Sequence, residues 1–309
     1  MQGVNARMCK VCGSHALVPA RTPYASDDLL RCQICSHVMV SPASSKFAEN
    51  RDRQRSVFGE AFTMNASPMA GLYHRINSHR TERLLNLHAR SAILEIGPGL
   101  GDVMAHLSAR GHDVVGLDLS VAIRDAIHRK YGLQVLVEDI SGLSQRAPAR
   151  WDVVVMRHVL EHFESPVSAL QSAAQLLRPG GKLYVAVPNM DSWHRRWRGW
   201  SGYEPYHLHF FGATSLTRAL HRARLDIVRI GTYESLSGWT NTLWRSFGTE
   251  TPLGGEAAVI HPRSSQRVGR MVLECCRLAM GLASTPLRII QGAIGRGEEL
   301  YAVAAKMAK

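Results

Sequence analysis

Six cysteines occur in the chain, and four of them form two C-x-x-C pairs. Cys9-Lys-Val-Cys12 is followed by Gly13, and nineteen residues separate Cys12 from Cys32-Gln-Ile-Cys35. Two residues between thiolates let the chain curl until both sulfurs meet one ion. Gly13 supplies the tight turn that such a knuckle needs. Two knuckles make a closed tetrahedral zinc site, with Cys9, Cys12, Cys32 and Cys35 as ligands and no position open to a substrate. The expected zinc is therefore structural. Four free thiols in a short hairpin are the alternative. His37 lies near the second knuckle as a bystander. Cys275 and Cys276, adjacent on an expected helix, read as packing residues.

A second set of residues suits a nucleoside. The glycines of Gly97-Pro-Gly99-Leu-Gly101 let the backbone approach a ligand closely. Asp118 can accept both hydroxyls of a ribose, and Asp139 can face an adenine amino group.

These side chains need a scaffold. Residues 92–96 are a short apolar run of buried-strand type, and the glycines follow at once. A helix is expected from about Asp102 to Gly111, a second strand over 113–118, and a helix capped by Ser120 and ended by Gly132. Further strands are expected over 133–137, 151–156, 182–187 and 225–230, with a helix over about 213–223. Strands and helices alternating at this length predict a parallel doubly wound sheet. Such sheets bind ligands at the carboxyl ends of their strands, where Gly97, Asp118 and Asp139 all fall.

Leu94-Glu-Ile-Gly-Pro-Gly-Leu-Gly101 resembles the first motif of class I S-adenosylmethionine (SAM) dependent methyltransferases. Leu176-Leu-Arg-Pro-Gly-Gly-Lys-Leu183 resembles that family's turn into its fifth strand. Trp151-Asp-Val-Val-Val-Met-Arg-His-Val-Leu-Glu-His162 resembles its fourth strand and following loop, as in small-molecule O-methyltransferases of the ubiquinone-pathway type. The resemblance covers about residues 70–234 and the last dozen. It implies a Rossmann-like sheet of seven strands with the last antiparallel, expected over 298–305. It also implies SAM as cofactor, with Glu95 near its methionine end and Gly97, Gly99 and Gly101 along it. Asp118 with Leu119, and Asp139 with Ile140, would hold ribose and adenine. A nicotinamide dehydrogenase is disfavoured, because G-x-G-x-x-G is absent and Asp102 would repel a pyrophosphate at the helix start.

Methyl transfer from a sulfonium requires alignment of the acceptor, and a hydroxyl acceptor also requires a base. His209 or His207 is the favoured base, with His158 next. The alternative is that these three and His162 only cap loops or hold the cofactor pocket. Trp193-His-Arg-Arg-Trp-Arg-Gly-Trp200 is expected to pack over the site as a lid, though it could stack on a base or sugar or meet a membrane. Tyr73 and Arg75 are expected to touch the cofactor from an upstream helix.

The 309-residue chain is 45% hydrophobic and 20% charged, the composition of a globular protein. The expected division is a zinc module over 1–45, a helical linker or lid over 46–90, and the catalytic domain over 91–309. That domain carries a helical insertion at about 235–297, in which Arg267, Arg270, Glu274 and Arg277 share one helical face and Pro286 breaks the run. The net charge of +12 favours anionic partners, such as phosphorylated substrates, RNA or an acidic membrane surface. No signal peptide or membrane span is expected, and the cysteine pattern fits a reducing compartment. The reading is a cytoplasmic enzyme, with peripheral attachment to the inner membrane face as an option. Its acceptor is a small molecule, saccharide or lipid-linked intermediate methylated at oxygen. An RNA methyltransferase with a zinc module and a non-catalytic module of the same fold are the competing readings.

Overall fold

The computed structural model describes residues 8–20, 22, 28–41, 44, 68–87, 90–204, 206–247, 275–276 and 278–307. The cysteine-bearing segment contains three short strands, β1 (Leu17–Pro19), β2 (Leu29–Cys32) and β3 (Val38–Val40). Helix α1 (Pro68–Leu85) then leads to β4 (Ala92–Ile96), α2 (Asp102–Ala109), β5 (Asp113–Asp118), α3 (Val121–Tyr131) and β6 (Val135–Val137). The chain continues through α4 (Ile140–Arg146), β7 (Trp151–Arg157), α5 (Pro166–Leu176), β8 (Leu177–Pro188) and β9 (His209–Phe210). It ends with α6 (Ala213–Arg222), β10 (Leu225–Tyr233), α7 (Gly238–Phe247), α8 (Thr285–Ala293) and β11 (Glu299–Lys306).

Seven strands form one sheet in the order β10-β11-β8-β7-β4-β5-β6. Strands β4 to β8 run parallel, and β11 is antiparallel to both β8 and β10. The chain moves outward from β4 to β6, then returns to place β7 on the other side of β4. That reversal opens a crevice at the carboxyl ends of β4 and β7. The two-residue side-chain period sorts each strand between two cores. Leu94, Ile96, Val154 and Met156 face α5 and α6, whereas Ile93, Val153 and Val155 join residues of α2 and α3. Each such aliphatic side chain contributes about 1.5–3 kcal/mol by leaving water. Glu95 lies in this buried strand and is only 3% exposed.

Local signals set the element ends. Ser120 Oγ accepts from the Ile123 N–H at 3.3 Å, and Gly132 closes α3 with φ 69°. Several strand boundaries differ from expectation, β7 and β11 by a single residue. Strand β6 starts at Val135 rather than 133, and β10 runs on to Tyr233. Strand β8 starts at Leu177, because Leu177 pairs with Trp151 before the register shifts to Val153 and Lys182. The Pro-Gly-Gly turn is thus absorbed as a bulge inside the strand. Pro286 follows the end of a helical run over 278–283 but also sits in the first turn of α8, where its missing N–H costs nothing.

The cysteine module does not stand apart. Its three strands form a second sheet whose fourth member is β9, in the order β1-β2-β3-β9. Val38 pairs with Phe210 and Met39 with His209. Cys9, Val11, Cys32 and Cys35 share a core with Phe211, Leu216 and Leu220. Arg222 Nη1 donates to the Val11 carbonyl at 3.0 Å. Cys275 and Cys276 are exposed rather than packed. Arg267, Arg270, Glu274 and Arg277 lie outside the described residues, and among the described residues no helix is long and apolar enough to cross a membrane.

Candidate cofactor and acceptor site

The glycine turn closes β4. Gly97, Gly99 and Gly101 all adopt left-handed backbone, with φ of 64°, 55° and 77°. The Gly97 N–H donates to the Leu117 carbonyl and the Gly101 N–H to Pro98, each at 2.9 Å. A Cβ added at Gly97 would meet Val159 Cγ2 at 2.8 Å, so the turn has no room for a side chain there. Beside it, Asp118 accepts the Ser120 N–H on Oδ1 at 2.8 Å. Burial raises its pKa, against the pull of the Ser120 and Leu119 N–H groups. Leu119 is 66% exposed and Ile140 is buried. Asp139 caps α4 by accepting the Ser141 N–H on Oδ1 at 2.8 Å. The three strand ends expected to hold a nucleoside are therefore neighbours on one edge of the sheet. Glu95, on the same strand as the glycines, keeps one buried oxygen, Oε2, without a partner. Burial pushes its carboxyl up to about 8, despite the Arg157 charge and the Met104 N–H.

The end of β7 gathers a second set of titratable side chains. His158 has φ 51°, unusual for a residue with a side chain, and its N–H is fixed to the Ala186 carbonyl at 2.8 Å. Its side chain is 45% exposed. Nε2 lies 3.0 Å from Glu299 Oε2, and Nδ1 lies 3.8 Å from Glu161 Oε1. Burial would lower the imidazole pKa, but the bonds and charges of Glu161 and Glu299 outweigh it and raise it to about 9. Glu299 is buried too. The charges of Arg80, His158 and Arg157 overcome that burial and hold its carboxyl well below the usual range. Arg80 forms an ion pair with Glu299, and Arg157 Nη2 lies 3.7 Å from it.

The structure turns the other two candidate bases inward. His207 is 7% exposed and bonded through Nδ1 to the Gly202 carbonyl at 3.0 Å. His209 is 2% exposed, and its Nδ1 lies 3.0 Å from His37 Nε2 beneath the cysteine module. Burial lowers both pKa values to about 4. Both rings are buried, His207 against the Gly202 carbonyl and His209 against His37 where β9 pairs with β3. His37 stands outside the four-cysteine cluster and is the buried partner of His209. His162 is held between the Tyr206 and His158 carbonyls, each at 3.2 Å.

Glu299 was not singled out from sequence. Its one local signal is a pair of carboxylates, Glu298-Glu299, at the mouth of an otherwise apolar strand. Helix α1 reaches the site through Asn77 and Arg80, one and two turns beyond Tyr73, whereas Arg75 is exposed. The segment 193–200, expected as a lid, packs against α7. His194 Nδ1 meets Thr242 Oγ1 at 2.8 Å and Nε2 meets Glu234 at 2.9 Å, and Trp197 sets its edge against Trp239 and Phe247.

In the cysteine module, Cys9 and Cys35 sulfurs are 3.6 Å apart and those of Cys12 and Cys32 3.5 Å. All four lie within 4.8 Å of one another.

Residues 69–230 match the family described as "Methyltransferase domain". A curated relative from Yersinia pestis (strain Pestoides F), named Ubiquinone biosynthesis O-methyltransferase, is 30% identical over 127 residues, which is 38% of this chain and 52% of that one. The chain thus spans about half the length of the curated relatives it matches. A SAM-dependent methyltransferase from Archaeoglobus fulgidus superposes with TM-score 0.51 at 15% identity, covering 75% of this chain and 94% of that one. The 1,6-didemethyltoxoflavin-N1-methyltransferase of Burkholderia thailandensis, solved with S-adenosylhomocysteine, gives 0.52 at 16% identity, covering 94% and 100%. These likenesses establish the fold. The matched segment is just over half of the chain and contains the glycine turn, both aspartates and the β7 end, and the chain accordingly belongs to the methyltransferase-domain family as a SAM-dependent methyltransferase.

Proposed function

We propose that the strand ends at Gly97, Asp118 and Asp139 hold SAM and that His158 manages the proton of a small-molecule hydroxyl acceptor. The single observation that carries this reading is His158 itself: a half-exposed imidazole at the end of β7, clamped between Glu161 and Glu299, beside the glycine turn. The cofactor fits the residues present. The left-handed glycine turn is tight, with no room for a Cβ beside Val159, and the unpartnered Glu95 oxygen suits an ammonium group. Asp118 and Asp139 supply acceptors for ribose and adenine, with Leu119 and Ile140 flanking them.

When bound, SAM supplies an electrophilic methyl group. The chain's own work is then to bind, orient and keep water out. His158 in its neutral form keeps its Nε2–H donating to Glu299 and accepts the acceptor's hydroxyl proton on Nδ1, with Glu161 beside that nitrogen. His207 and His209 serve as packing residues. Trp200 is 1% exposed and Trp197 is engaged with Trp239, so of the three tryptophans in this segment only Trp193 is exposed.

Cys9, Cys12, Cys32 and Cys35 are proposed to bind one structural zinc ion. Sulfurs at about 2.3 Å from a tetrahedral ion stand about 3.8 Å apart, close to the separations present. The ion would fix β3, and through it β9, whose neighbour Leu208 donates its N–H to the Glu161 carbonyl at 3.0 Å. The test of the whole reading is a His158→Gln variant. It should bind SAM normally yet transfer methyl about 10²–10⁴-fold more slowly. Full activity in that variant removes His158 from the reaction.

A further inference from the structure

We infer that the acceptor is a neutral polyhydroxylated ring of the saccharide class, an inference that rests on the methyl-transfer site proposed above. The cavity that His158 faces has a volume of about 280 Å³ and lies over the carboxyl ends of β7 and β8, closed by α1 and α7. None of its fifteen described lining residues is Leu, Ile, Val, Met, Phe or Trp. Small-molecule pockets are ordinarily lined mainly by apolar and aromatic side chains, which bury the ligand's apolar surface. An aromatic or lipid acceptor would find no such wall here.

The walls are instead amides and hydroxyls. Asn77 projects from one side, and Ser235, Ser237 and Asn241 from the other, with Ser201 beside them. Amide and hydroxyl groups each donate and accept, as vicinal hydroxyls do, so this wall suits a hydroxylated ring. Tyr233 is the one aromatic ring in the wall, and Arg80 covers one of its faces at 3.9 Å.

The cationic groups of the cavity are already paired. Its two arginines and His158 stand against two glutamates, Glu298 and Glu299. Arg157 lies 3.7 Å from Glu299, and Arg245 is paired with Glu204. A phosphate would have to displace those pairings and face two carboxylates. The chain's net charge of +12 therefore does not describe this cavity. The volume sits at the lower limit for small-molecule sites, about 300 Å³, which suits one sugar ring rather than a long chain.

The test uses full-length protein saturated with S-adenosylhomocysteine. Ligand-observed saturation-transfer NMR is recorded with methyl pyranosides of glucose, galactose, mannose, rhamnose and fucose, and with catechol and glucose 6-phosphate as contrasts. At least one pyranoside should bind, and its affinity should fall about tenfold in both Asn241→Leu and Asn77→Leu, which lie on opposite walls. Absence of any pyranoside signal, or a catechol or phosphate signal that the two variants weaken, overturns the inference. Calorimetric binding of S-adenosylhomocysteine is measured alongside. Its presence with no sugar binding rejects only the acceptor class, whereas its absence rejects the underlying methyl-transfer site.

Discussion

His158 can act as a base only after it loses its proton, and its two carboxylate neighbours delay that loss. With a pKa raised to about 9, about 1% of the ring is neutral at pH 7 and about half at pH 9. Turnover limited by this ring should therefore climb about fifty-fold between those two values and be lost as pH falls. The proton can be followed without an acceptor, by NMR titration of the His158 ring in the free enzyme. The midpoint should lie near 9. Glu299→Gln removes the charged partner at 3.0 Å and should move the midpoint down toward the ordinary histidine value of about 6.5. Arg80 loses its partner in the same variant, so a melting curve should accompany the titration. A wild-type midpoint at or below 6.5 refutes the clamp, and a rate profile unchanged in His158→Gln refutes the base.

Gly97→Ala forces an L-residue into left-handed backbone at about 1–2 kcal/mol and drives its Cβ against Val159, so SAM affinity should fall at least about tenfold by calorimetry; unchanged affinity would contradict the cradle. Elemental analysis should find one zinc per chain, and Cys32→Ser should lose the metal and also slow methyl transfer, because the module is tied to the catalytic loop through β9. A metal-free protein with the module folded would count against the site. His209→Ala leaves His37 Nε2 unpaired in the core, which should cost about 1–3 kcal/mol of stability while the pH profile keeps its shape. A lost alkaline rise in that variant would return His209 to the chemistry.

Strands β4 and β5 fall at the residues expected from sequence, because each is an apolar run stopped by glycine or aspartate at its carboxyl end. The residues proposed to face the cofactor stand at those ends for the same reason. The acceptor side was not legible, since its geometry depends on partners distant in the chain. His158 meets Glu299 across 141 positions, and His209 meets His37 across 172. The spacing of His207 and His209 says nothing about β9 joining the cysteine module, where His209 is buried, or about the Gly202 carbonyl that holds His207. Cys275 and Cys276 show the same limit in reverse, as apolar residues that the fold leaves exposed. The helical charge stripe expected around 267–277 lies in large part outside the described residues.

The account stands on SAM occupying the three strand ends, and Asp118 is the residue whose loss isolates that claim. Asp118→Ala removes the carboxylate expected to receive both ribose hydroxyls, leaving them without a partner at about 2–3 kcal/mol, about a hundredfold in affinity. Calorimetric titration of SAM into wild-type and Asp118→Ala protein should give one site per chain in the first and binding at least that much weaker in the second, with melting temperatures alike. Equal affinity in the two proteins would contradict the placement of the cofactor.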